Sequence, residues 1–172
     1  MPGAISQLQM LYVPEEDRIL FRINTAERQQ FRFWLTRRYS ALLLQVLKRH
    51  LEGDPDISMQ ETPEAREAVE SFKREKAMAS ANFKEQFDED ANELPLGESI
   101  PIAFKLTYKL EEGNLNIGIQ PKQGQGINLA IDRDINMSLT NLLMGAAKKG
   151  EWAFERESPI DGPQSQDNIV IN

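Results

Sequence analysis

The sequence predicts an α+β fold made of a duplicated βββα unit: six antiparallel strands, two packed helices and a long helix inserted between the copies. Three observations carry that expectation. Laid on itself with a shift of 96 residues, the chain superposes residues 8–51 on residues 104–147 without a gap. Within each copy, apolar residues recur first at every second position and then at three- and four-residue steps. Between the copies, residues 53–98 are bounded by turn signals and carry the excess acid, thirteen Asp/Glu against five Lys/Arg.

The strands follow from the period of two, which buries one face of a sheet and leaves the other out. In the first copy they centre on Leu8, Met10 and Tyr12, then Ile19, Phe21 and Ile23, then Phe31, Phe33 and Leu35. The shift carries these to Phe104, Leu106 and Tyr108, to Leu115, Ile117 and Ile119, and to Ile127, Leu129 and Ile131, so every inward position stays apolar. Pro14 to Asp17 lies over Leu110 to Gly113, and both are acidic hairpin turns. The second connections, residues 24–30 and 120–126, are loops of equal length. Gly124-Gln125-Gly126 joins two strands with no helix N-terminus after it, so it reads as a loop and not as a phosphate cradle.

Each third strand runs into a helix through a capping side chain, Thr36 and then Asp132. Tyr39, Leu43, Val46, Leu47 and Leu51 make one stripe, over which lie Ile135, Leu139, Leu142, Leu143 and Ala147. A three-stranded unit alone is marginal, which argues for one core shared by both copies. The expected organisation is a single domain over residues 1–157, with repeats at about 5–52 and 101–148, a helical insert over 53–98, and a flexible tail over 158–172. Within the tail, Ile169, Val170 and Ile171 form an apolar run able to add a strand to an exposed sheet edge.

The insert reads as a helix over 62–90: Thr62 caps it, Pro63 suits the first turn, and Glu64 and Glu67 favour the positive end of its dipole. Val69, Phe72, Ala79, Phe83 and Phe87 form a narrow seam, interrupted by Lys76, suited to lying along a groove of this subunit or a neighbour.

Composition removes whole classes of chemistry. The absence of cysteine excludes disulfides, thiol nucleophiles and thiolate metal sites. The one histidine, His50, aligns with Ala146 and reads as a helix-rim residue. Asp132, Asp134 and Asn136 have the spacing of a calcium loop, but no glycine stands at the sixth position and Leu143 occupies the twelfth, so they read as a helix cap with acidic neighbours. No residue set positions a nucleophile against a base, and no catalytic residue, metal or cofactor is expected. No signal peptide or apolar span is visible, which makes a cytoplasmic protein the expectation.

What remains is the asymmetry between the copies. Residues 1–52 hold eight Lys/Arg against five Asp/Glu, whereas residues 53–98 hold five against thirteen. Alternation turns Arg18, Leu20, Arg22, Arg32 and Trp34 to the outer sheet face of the first copy, where the second has Asn114, Asn116, Gly118, Asn128 and Ala130. Leu42 and Leu44 lie off the core stripe of their helix and align with Ser138 and Thr140, so an apolar cover is expected from the insert or a second subunit.

Arginines around a tryptophan on a strand face suit single-stranded nucleic acid, guanidinium groups contacting phosphates and Trp34 stacking on a base. Repeated units of this outline resemble the Whirly and Pur-repeat families in topology, and that resemblance implies single-strand binding by a curved antiparallel sheet. The run Arg32-Phe33-Trp34-Leu35-Thr36-Arg37-Arg38 resembles one found in small bacterial proteins without established activity. Against nucleic acid stands a pI near 4.9. The favoured expectation is a non-enzymatic homodimeric interaction protein: the arginines meet the acidic insert, Trp34 and Leu20 lie beneath Phe72 or Phe83, and Leu42, Leu44, Phe72 and Phe83 form the interface.

Overall fold

In the computed structural model, residues 3–80, 87–89 and 93–154 are described, with backbone alone for 77–80. Three strands come first, β1 (Ile5–Val13), β2 (Arg18–Thr25) and β3 (Gln30–Leu35), followed by α1 (Arg37–Glu52). Then come a short helix α2 (Pro55–Ser58) and the insert helix α3 (Pro63–Ser80). The order β4 (Lys105–Glu111), β5 (Asn114–Gln120), β6 (Ile127–Ile131) and α4 (Arg133–Lys149) completes the described elements. They form two three-stranded antiparallel sheets, ordered β1-β2-β3 and β4-β5-β6.

One apolar core joins the sheets and the two long helices. Ile19, Phe21, Phe33, Leu35, Leu43 and Leu47 meet Leu106, Leu115, Ile117, Ile119 and Leu143 in a single buried cluster. The helices are held as their caps dictate: Thr36 Oγ1 accepts from the Tyr39 amide at 3.2 Å, and Asp132 Oδ1 accepts from the Ile135 amide at 2.8 Å. α1 packs on α4 and reaches β4, while α4 also lies against β1, so each long helix touches the sheet of the other half. Leu44 is buried in this core and Leu42 is half-buried against it, which places both under cover within their own chain.

The two hairpins differ in a way that preserves the pattern. Val13 pairs with Arg18 across a four-residue turn, whereas Glu111 pairs with Asn114 across two residues. In the second turn Glu112 (φ 49°) and Gly113 (φ 81°) both adopt the left-handed conformation that a two-residue hairpin of this twist needs. Relative to its neighbour, β1 is therefore displaced by two residues from the position of β4. A slip of two keeps every side chain on its face. It also shifts the inward set: Phe104, expected inside, precedes β4 and is exposed, with Lys122 Nζ 6.0 Å from its ring centre.

The insert departs most from expectation. Its described helix ends at Ser80, and residues 87–89 are not helical. α3 packs on α2 and α4, with Val69 against Leu51, Ile57 and Met137. Phe72 is 67% exposed, because the packed face runs through Val69 and Lys73 and turns the intervening position outward. Phe83 lies outside the described residues, as do residues 155–172, which include the whole of the expected tail. Residues 93–103 return along the outer edge of β3: Gln30 and Trp34 donate to the carbonyls of Glu93 and Pro101 at 2.8 and 2.9 Å, and Ala103 donates to Trp34 O at 2.9 Å. The chain then enters the second sheet, where the Phe104 amide meets Gln120 O.

Candidate functional site

The outer face of the first sheet is ordered by register into cross-strand rows. Gln9, Arg22 and Arg32 form one row, and Val13 with Arg18 another. Between them Leu11 pairs with Leu20, Leu20 with Trp34, and Trp34 with Ile102 of the returning segment. Directly paired residues share a face, so these four apolar side chains cross the whole sheet side by side. Leu11 is 37% exposed and Ile102 43%, with Leu20 and Trp34 half-buried between them.

The arginine row has a different fate. Arg22 Nη2 lies 3.1 Å from Glu89 Oε1, and its guanidinium carbon sits 5.0 Å from the centre of the Phe87 ring. Arg32 donates to the carbonyls of Gly97 and Glu98 at 3.2 and 2.7 Å. Beside them Asn24 donates to Gln7 Oε1 and to the carbonyl of Asp88, and Gln30 donates to Asn24 Oδ1. The basic row is thus covered by the chain's own return from the insert, outside its helix. Arg18 pairs with Glu16 at 3.8 Å on the opposite flank. The site is an apolar band between a covered basic row and a mixed-charge margin. Sequence reasoning found Arg18, Leu20, Arg22, Arg32 and Trp34 but missed Leu11 and Ile102. The unbroken run Met10-Leu11-Tyr12-Val13 was a readable signal for Leu11, since it makes both faces of β1 apolar.

His50, expected at a helix rim, is 3% exposed and belongs to a buried polar network. Its Nε2 donates to Gly113 O at 2.7 Å, a carbonyl that can only accept, so Nδ1 accepts from Asn136 Nδ2 at 2.7 Å. Asn136 Nδ2 also donates to Leu47 O, and its Oδ1 accepts from Thr140 Oγ1 at 2.9 Å. This arrangement joins α1, α4 and the β4–β5 turn. Every ring nitrogen is committed to structure.

A second polar centre holds the insert. Lys73 Nζ bridges Asp54 Oδ2 at 2.8 Å and Asp56 Oδ2 at 2.6 Å, with Arg133 Nε 4.0 Å from Asp54. Burial works against the Asp54 charge, but the bonds from Lys73 and the Asp56 amide, with the Lys73 and Arg133 charges, outweigh it and hold its carboxyl below the usual 3.8. Burial likewise opposes the Lys73 charge, and its two carboxylate partners overcome this and raise it above 10.5. A depressed acid stabilises the fold above its unfolded pKa and loses that contribution as pH falls through its folded value. Asp54→Asn, which keeps a capping oxygen, is therefore expected to cost about 1–3 kcal/mol at pH 7. Urea titrations at pH 7 and pH 3 check this, with the gap between parent and variant closing in acid.

Two tyrosines, Tyr12 and Tyr39, hold their protons more tightly than a free phenol. The bond from Tyr12 to Asp17 Oδ1 at 2.5 Å, then burial and the charges of Asp17 and Glu151, raise its phenol above 10.0. Burial raises that of Tyr39, whose hydroxyl donates to Lys105 O at 3.2 Å. Among the described residues no group of three or more His, Asp or Glu could hold a metal ion, and no helix is long and apolar enough to cross a membrane. No family model, no curated protein and no solved structure matches this chain.

Proposed function

We propose that this chain is a non-enzymatic, cytoplasmic interaction protein of bacterial type that works as a homodimer, built from two copies of one βββα unit about a pseudo-twofold. Its contact surface is the outer face of the first sheet. The observation that carries this reading is the apolar row of Leu11, Leu20, Trp34 and Ile102, exposed at its two ends and half-buried at Leu20 and Trp34, while the neighbouring Arg22 and Arg32 are covered. Four large apolar side chains in line favour a partner that removes them from water. A second copy suits the row on charge as well. With the dimer axis along the row, Arg18 of each copy stands over the flank that holds Glu89 and Glu98 in the other.

Nucleic acid is the weaker partner. Arg22 and Arg32 already direct guanidinium donors to Glu89, Gly97 and Glu98, which leaves fewer cations for phosphates. Sedimentation equilibrium at micromolar concentration tests the proposal. The parent is expected at twice the chain mass of 19.6 kDa, and Trp34→Glu at the monomer mass. A buried aromatic at the centre of an interface is worth about 2–4 kcal/mol, or roughly thirtyfold to several hundredfold in dimer affinity. A monomeric parent, or a Trp34→Glu variant that still dimerises, overturns the reading. Salt-dependent binding of a labelled oligonucleotide by the parent supports the nucleic-acid alternative instead.

A further inference from the structure

The outer faces of the two sheets share one register but are filled differently. Gln9, Arg22 and Arg32 stand in one cross-strand row of the first sheet, and Thr107, Gly118 and Asn128 stand in the same row of the second. The next row holds Leu11, Leu20 and Trp34 in the first sheet and Lys109, Asn116 and Ala130 in the second. Where the first face has two arginines, a leucine and a tryptophan, the second therefore has glycine, two asparagines and alanine. On the first sheet the arginine row is covered by chain returning from the insert. Over the second sheet lies an open cleft of about 570 Å³, within the range of about 300–1,000 Å³ that small-molecule sites span.

The floor of this cleft is polar and uncharged. A Cβ on Gly118 would collide with Thr107 Oγ1 and stand 3.0 Å from Asn128 Oδ1, so a hydroxyl and a carboxamide converge over the bare glycine. Asn116, one row on, adds a second carboxamide. None of these three side chains is hydrogen-bonded to another described residue, so their donors and acceptors remain available to a ligand. Of the described residues around the cleft only Lys109 is charged, and Glu111 already takes its ammonium at 2.6 Å. Ala4 and Ile5 stand at one side as an apolar wall.

We propose that this cleft binds a neutral mono- or disaccharide. Charge narrows the class: an anion finds no unpaired cation here and is repelled by a net charge of -7, while a cation finds Glu111 already engaged. A wholly apolar ligand strands the hydroxyl and both carboxamides. An extended peptide is neutral, but its backbone groups alternate to opposite sides along a line, whereas these side chains converge. Vicinal hydroxyls each donate and accept, which matches the paired C=O and NH2 of Asn116 and Asn128, and a sugar ring presents a C–H face to Ala4 and Ile5. The site lies on the second sheet, apart from the row of Leu20 and Trp34, so it stands or falls independently of dimerisation.

Amide NMR of the full chain at fixed protein concentration, titrated separately with glucose, maltose and cellobiose to millimolar levels, tests this. At least one of the three is expected to shift the Thr107, Asn116, Gly118 and Asn128 amides along a single saturable curve while Leu20 and Trp34 stay still. Asn128→Ala is expected to weaken that binding about tenfold, the worth of one hydrogen bond left unmade. Ala130→Trp, which places the residue of the first sheet in the cleft, is expected to abolish it. Both positions are exposed, so neither change disturbs the core, and the Ala103 amide, bonded to Trp34 O, reports that the fold is intact. No saturable shift with any of the three sugars overturns the proposal. So do curves that either variant leaves unaltered, or binding in this cleft of glucose 6-phosphate or tetraglycine where the neutral sugars fail.

Discussion

Phe33→Ala is expected to lower folding stability by about 3–5 kcal/mol, the range for emptying a fully buried aromatic site. Phe33 has no exposed surface, pairs across the sheet with the equally buried Phe21, and sits where both sheets and both long helices meet. Neighbours on every side are fixed by strand pairing, so collapse into the cavity is restricted. Urea unfolding checks this as a lower midpoint at unchanged slope. Phe72→Ala is the control: the same chemical change at an exposed site is expected to stay within about 0.5 kcal/mol.

Asn136→Ala follows at about 2–4 kcal/mol, for a different reason. No large volume is lost, but His50 Nδ1 and Leu47 O lose a donor and the Thr140 hydroxyl loses its acceptor, all in buried surroundings. The double variant Asn136→Ala/His50→Ala is expected to cost less than the sum of the single changes, since removing His50 also removes one of the stranded groups. Thermal or urea unfolding of the four species in the cycle measures that coupling.

The strands and the two long helices were legible because their signals are local. A buried face imposes a period of two or of 3.6 on consecutive residues, and Thr36, Thr62 and Asp132 mark helix starts through bonds that span three residues. What stayed hidden depends on partners distant in sequence. His50 and Asn136 are 86 positions apart, and the gapless self-comparison aligns them with Ala146 and Ser40, not with each other. A polar pair that bridges the two halves is invisible to a comparison of like positions. The seam containing Phe72 was misread because α3 uses the adjacent Val69 and Lys73 face, a rotation of one residue that periodicity in a sparse apolar pattern does not determine.

The candidate surface was half legible for the same reason. Alternation placed Arg18, Leu20, Arg22, Arg32 and Trp34 on one face, but only register shows that Leu20 and Trp34 continue into Leu11 and Ile102. Ile102 precedes its strand and joins the first sheet from the far side of the insert, so no local pattern marks it. Likewise, the acid that meets Arg22 was expected on a helix and comes from Glu89 beyond the described helix. A basic surface in the sequence became an apolar one in the fold.

The central claim is that this apolar row is where a second copy sits. Amide and methyl chemical shifts followed by NMR as the chain is concentrated from micromolar to millimolar test it most directly. Leu11, Leu20, Trp34 and Ile102 are expected to shift together along one association curve, with Arg18 following. Shifts that do not change with concentration, or that gather at Met59 and Phe72 on the far helices while this row stays still, contradict it.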